Sequence, residues 1–175
     1  GIANGDGRAR QQDGRIITDP PGCADWPSRW SWYVGKVQPD VALIFSVAPA
    51  GASRWVHGAW RKDCDPVFDR WYQEHYQEAI GILGAKGADV AVTTIAPMDS
   101  ASDADGRYPE VDCRNATIRR AAQATGATVV DLARWVCDDD GRCRRTVRTL
   151  RGREVELRPD GLHYSGPGGI VATRW

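Results

Sequence analysis

From Trp26 onward the apolar positions switch repeatedly between helical and strand spacing, and the switches order the chain's elements. Trp26, Trp30, Tyr33, Val34 and Val37 recur at helical intervals, and Pro39 closes that segment. Residues 41–47 follow as a nearly continuous apolar run, the pattern of a strand buried on both faces. Asp65 and Pro66 then open a second helix, with Asp as N-cap and Pro at the first position. Its core face is Phe68, Trp71, Tyr72, Tyr76, Ala79, Ile80 and Leu83, and Gly84 and Gly87 end it. A strand over 89–95, a helix over 113–125 and a short strand over 128–132 complete the series. Three buried strands joined by crossover helices predict an α/β fold, a three-layer α/β/α arrangement with a parallel sheet. Such crossovers are right-handed and ligands of open parallel sheets gather beyond the carboxyl ends of the strands, where His163 is expected beside the loops after Val47 and Ile95.

Less regular stretches remain. Residues before Trp26 read as a Gly- and Pro-rich lead-in, and 97–111, rich in Asp, Ser and Gly, as a mobile lid or a plain loop. The chain has eight Trp, and Trp55 and Trp60 fall in a predicted loop over 48–62 rather than on a core face. Two readings stay open for them, an aromatic platform for a sugar or acyl group and a cover for the sheet edge. His57 shares that loop and can touch substrate, whereas His75 sits among helical aromatics as a half-buried surface residue. For Trp26, Trp30 and Trp71 the helical spacing favours the core.

Length and charge narrow the picture. The 175 residues suit one domain with a substantial core. With 23 basic and 23 acidic side chains, the overall field gives no reason to expect nucleic acid or an anionic membrane as partner. The arginines from Arg142 to Arg153 can meet phosphate or an acidic glycan, but a solvated hairpin is the favoured reading. No apolar run approaches the ~20 residues needed to cross a bilayer.

Five cysteines point to an oxidising compartment. Cys137 and Cys143 bracket a short polar turn that a disulfide can close, worth roughly 2 kcal/mol on chain-entropy grounds. Cys23, Cys64 and Cys113 remain as an odd set, which a sixth cysteine upstream would complete. No metal or other cofactor is expected, because no C-x-x-C occurs and His57, His75 and His163 lack ligand-like spacing.

The chemistry-bearing motif lies near the end of the chain, at Asp160-Gly161-Leu162-His163. An Asp three residues before a His can orient the imidazole and stabilise its protonated form while the other ring nitrogen accepts a proton from an attacking hydroxyl. Arg158-Pro159 stiffens the approach, and Ser165-Gly166-Pro167 suits the entrance of a final helix.

This segment resembles the last block of the SGNH (GDSL-type) hydrolases, whose Asp and His lie in a D-x-x-H just before a C-terminal helix. Pro39-Asp40-Val41-Ala42-Leu43-Ile44-Phe45-Ser46 is similar to the strand carrying the family's third block. Pro20-Pro21-Gly22-Cys23-Ala24-Asp25-Trp26-Pro27 is similar to the segment preceding a Trp-rich helix in the SGNH domains of actinobacterial membrane acyltransferases. The resemblance implies a flavodoxin-like SGNH fold over a single domain, 1–175.

Two departures qualify what it implies. The family's first block ends a strand in Gly-Asp-Ser, with Ser as nucleophile, and that tripeptide is absent; the nearest segment is Gly5-Asp6-Gly7, read here as a loop. The favoured explanation is a chain that starts downstream of the nucleophile strand, so that the first strand is missing, and the alternative is a degenerate nucleophile. At the third block this chain has Ser46-Val47-Ala48-Pro49 where the family often shows Gly-x-Asn-Asp, so its usual oxyanion-hole Asn is absent.

The implied function is that of an extracytoplasmic domain of an O-acyltransferase, tethered to the membrane through a parent protein. It would move a short acyl group, acetyl by preference, to a hydroxyl of a cell-envelope glycan. A membrane acyltransferase domain of the parent would deliver the acyl donor. Asp160 and His163 would carry the acid–base work, Ser46 and Val47 would border the oxyanion, and Trp55 and Trp60 would hold the sugar acceptor. A secreted carbohydrate or lipid esterase of the same fold and a non-catalytic glycan-binding module are the alternatives. Ser46 and Ser165 remain formal candidates for an internal nucleophile.

Overall fold

A proline and its preceding aspartate start the longest helix where the sequence requires, in a computed structural model that describes residues 7–46, 52–97, 109–138 and 142–174. The chain divides into two units, Gly1–Ile95 with Pro109–Val130, and Ala96–Tyr108 with Asp131–Trp175. In chain order the first unit carries β1 (Arg8–Arg10), β2 (Ile16–Thr18), α1 (Trp26–Val37), β3 (Val41–Ile44), β4 (Ser53–Val56), β5 (Ala59–Arg61), α2 (Pro66–Gly84), β6 (Asp89–Thr93), α3 (Pro109–Thr125) and β7 (Thr128–Val130). The second carries α4 (Leu132–Val136), β8 (Thr146–Arg148), β9 (Glu154–Glu156) and α5 (Gly166–Ala172).

The α/β class and the parallel sheet are as the pattern predicts. Strands β3, β6 and β7 are parallel in that order, with Val41 opposite Asp89 and Ala91 opposite Thr128. Helix α2 packs on β6 and on α3, and α1 packs on α2. Phe68, Trp71, Tyr76, Ala79 and Ile80 of α2 are buried, as are Val111, Ile118, Ala121 and Ala122 of α3.

Burial of β3 on both faces does not hold. Ala42 and Ile44 are buried, but Val41 and Leu43 are 66% and 54% exposed. Alternate side chains of a strand point to opposite faces, and the packed helices bury only one set. The first helix is corrected in the same way: Trp26 and Val34 are buried and Trp30 is half-buried, while Tyr33 and Val37 are exposed.

Antiparallel structure fills two stretches read as irregular. The lead-in folds as the β1–β2 hairpin, and the predicted loop over 48–62 holds the β4–β5 hairpin, giving a sheet ordered β2-β1-β4-β5. His57 and Gly58 both have positive φ (49° and 79°), so they form the two-residue turn that matches strand twist. That turn chemistry is concealed in the sequence because His stands where Asn or Asp usually does. Helix α3 starts at Pro109, earlier than the apolar spacing indicated. Residues 1–6, Val47 and 98–108 lie outside the described residues.

Asp65 caps α2 by accepting from the amides of Val67 and Phe68, and its carboxylate also meets Arg61 at 2.8 Å. Burial opposes its charge, but Arg61 and the two amides outweigh that and hold its pKa below the usual value. Asp65→Ala is therefore expected to lower stability by about 1 kcal/mol in urea denaturation. A disulfide between Cys64 and Cys113 joins the start of α2 to α3 across 49 residues. Replacing both cysteines by Ser should cost about 2–4 kcal/mol, measured against the same chain without reductant.

In the second unit, Ala96, Leu132, Trp135, Val136, Cys137 and Leu157 form the core, with Val147, Tyr164 and Val171 packed against it. The expected disulfide between Cys137 and Cys143 is present, and β8 and β9 form the hairpin expected of the arginine-rich stretch. Ser165 caps α5 by accepting from the Gly168 amide at 2.8 Å. A Cβ at Gly168 would come within 2.7 Å of the carbonyl oxygens of Glu156 and Leu157. Gly168→Ala should thus cost roughly 1–3 kcal/mol through overpacking, read as a drop in thermal midpoint.

Candidate active site

The turn that carries Asp160 and His163 is held at both ends. Before it, Leu157 is fully buried and Arg158 nearly so, with the Arg158 guanidinium donating to the Pro97 carbonyl at 2.6 Å. After it, the Ser165 amide donates to the Leu157 carbonyl at 2.9 Å and α5 begins. Between them Gly161 takes positive φ (75°), a conformation a β-carbon would strain, and its amide donates to the Arg158 carbonyl.

Within this frame the Asp160 carboxylate is surrounded by donors. One oxygen accepts from the amides of Leu162 (3.0 Å) and His163 (2.7 Å), and the other lies 2.6 Å from His163 Nδ1. The hydrogen bond from the His163 side chain, reinforced by the two amides, holds the Asp160 carboxyl far below the usual carboxylate range. An ionised carboxylate can only accept, so Nδ1 carries a proton, and in the neutral imidazole the lone pair is on Nε2. The His163 side chain is 79% exposed and that of Asp160 54%, so the pair is open to a substrate. A groove of about 490 Å³ adjoins it, lined by Arg145, Thr146, Glu156, Arg158 and Asp160. The turn thus brings Asp160 and His163 together with the imidazole oriented by the carboxylate, a geometry that can serve a general base.

The other sequence-derived candidates have different surroundings. Ser46 is 7% exposed; its amide donates to Thr93 Oγ1 at 2.9 Å and its hydroxyl is 2.9 Å from the Tyr76 hydroxyl. Burial pushes the Tyr76 phenol far above its ordinary pKa, so it stays protonated in this contact. The Ser165 hydroxyl donates to the Glu156 carbonyl while accepting from Gly168, which occupies its proton. Trp55 and Trp60 face each other across the β4–β5 ladder in a T-shaped pair 5.3 Å apart. Arg8 lies 4.9 Å from the Trp55 ring and Arg10 5.0 Å from the Trp60 ring. His57 is exposed at the hairpin turn, and His75 is half-buried against Trp71. Among the described residues no three His, Cys, Asp or Glu side chains converge as a metal site.

Two polar features escaped the sequence reading. Arg114 and Asn115 lie on the buried face of α3, flanked by Val111 and Ile118 at helical spacing. Arg114 forms a doubly hydrogen-bonded ion pair with buried Asp63 and stacks 3.5 Å over the Tyr72 ring. Asn115 accepts from the Ile95 amide (2.8 Å) and donates to its carbonyl (2.9 Å), fixing the backbone just after β6. The signal was present as two polar residues within a core-facing period.

Scaffold and pair define an α/β protein bearing a carboxylate-oriented histidine on an anchored surface turn. The chain belongs to the DUF459 family, described as a protein of unknown function, whose family model matches residues 19–174. That family is commonly associated with SGNH/GDSL-like hydrolases, which relates the chain to them at a coarse level. No curated protein matches the chain. Its two disulfides are consistent with an extracytoplasmic setting, and among the described residues no helix is long and apolar enough to cross a membrane.

Proposed function

We propose that this chain is the acid–base part of an SGNH-type acyl-transfer site, in an extracytoplasmic domain that moves a short acyl group to a glycan hydroxyl. The observation that carries the reading is the Asp160–His163 pair, with Nδ1 bound to the carboxylate and the side chain open to solvent. In the mechanism, a serine hydroxyl supplied by a segment outside these residues attacks the acyl carbonyl while His163 Nε2 takes its proton. The imidazolium, stabilised by Asp160, gives that proton to the departing alkoxide and leaves an acyl-serine. An acceptor hydroxyl then attacks the acyl-serine, losing its proton to Nε2, and the imidazolium passes that proton to the departing serine oxygen. The engaged hydroxyls of Ser46 and Ser165 favour an external nucleophile over an internal one.

Hydrolysis is the same sequence with water as acceptor. Glycan specificity by way of Trp55 and Trp60 requires Arg8 and Arg10 to leave the ring faces they cover, or the sugar to meet the ring edges. Acetyl-ester turnover by this chain and by one extended upstream through a further strand, each with His163→Ala as control, tests the reading. Turnover by the extended form alone, lost in His163→Ala, supports it, and turnover unaffected by His163→Ala overturns it. Because Asp160 stays ionised far into the acid range, it should add no second acid limb to the pH–rate profile above about pH 4.

A further inference from the structure

A second groove, of about 530 Å³, lies in the same unit between the β8–β9 hairpin and α5. Its lining combines two chemistries. Trp135, Val147, Ile170 and Val171 give it an apolar floor, and Leu150, 85% exposed, stands at the hairpin end. Around that floor are the guanidiniums of Arg144, Arg148 and Arg174. Arg144 lies 5.7 Å from the Trp135 ring, and none of the three makes an ion pair among the described residues. The one carboxylate lining the groove, Glu154, accepts a hydrogen bond from Thr146. Three positive charges against one negative leave the groove doubly positive.

We propose that this groove binds an amphiphilic phosphomonoester, a phosphate carried on an apolar chain. A phosphomonoester carries a charge of about −2 at neutral pH, which matches the excess, and its planes of acceptor oxygens suit guanidinium forks. The apolar chain takes the floor, where exposed Ile170 and Leu150 lose contact with water. A free phosphate would leave that floor wet, and a neutral lipid would leave the arginines without an anion. The inference does not depend on the acyl-transfer reading, although Thr146 borders both grooves.

The test is titration of the chain with dodecyl phosphate below its micelle concentration, followed by calorimetry and by amide chemical shifts. One molecule should bind per chain, shifting amides of β8 and α5, and more weakly as salt rises. Arg148→Gln and Arg174→Gln should each weaken binding by about tenfold. Arg29→Gln, exposed in the other unit, should leave it unchanged. Inorganic phosphate and dodecyl maltoside should bind far more weakly than the combined molecule. Equal binding by the arginine variants, binding as strong by inorganic phosphate, or binding only to micelles or anionic vesicles would each overturn the proposal. Because the readout is binding, failure of the acyl-transfer reading leaves this result intact, and the converse also holds.

Discussion

In the upstream-extended chain, His163→Ala should lower acetyl-ester turnover by about a thousandfold, with little change in thermal midpoint. The size follows from the proposed role: the variant removes the side chain that would accept the nucleophile's proton and return it to the leaving group. The small stability effect follows from exposure, since His163 is 79% open and its partner carboxylate is also held by two backbone amides. Asp160→Asn is the finer test. It keeps the shape of the turn but removes the acceptor that fixes Nδ1 as the protonated nitrogen, so kcat should fall while KM holds. A fall in His163→Ala of less than tenfold would mean that the imidazole is not the base.

Asp63→Ala should lower unfolding free energy by about 3–5 kcal/mol, because it leaves the Arg114 guanidinium charged and buried without its carboxylate. The pair is nearly sealed from solvent, with side chains 6% and 4% exposed, so water cannot replace the lost partner. Asp63→Leu combined with Arg114→Met should recover most of the loss, since a filled apolar site of similar volume carries no desolvation cost. Urea denaturation of the two variants beside the unaltered chain reads both effects. Recovery in the double variant marks the loss as an uncompensated charge rather than a cavity. Damage at this pair should also reach the carboxyl edge of the parallel sheet, because Asn115, next along α3, clamps the backbone of Ile95.

Local pattern was enough to read α1, α2, the body of α3 and the parallel strands, whereas the short helix α4 and the first turn of α3 were not read. Asp65-Pro66 started α2 as expected, because capping and a preset φ act within one turn of chain. The D-x-x-H turn was equally legible: Asp160 and His163 are three residues apart, and a single Gly at positive φ closes the geometry. The Cys137–Cys143 bridge was readable for the same reason of short separation.

The β4–β5 hairpin was not legible, because its turn uses His57 at positive φ and its Trp55–Trp60 pair is made by cross-strand packing. Nor was the exposed face of β3, since an apolar run reads identically whether one or both of its faces are covered. The pairing of Cys64 with Cys113 and of Asp63 with Arg114 joins positions about fifty residues apart. By itself, then, the sequence determined what depends on neighbours along the chain: the type of the periodic elements, the caps, and the Asp160–His163 pair in its turn. Only the tertiary structure decided which apolar faces are covered, which polar residues are buried together and which arginines ring an apolar groove. These depend on segments meeting in space, and periodicity carries no record of the partner.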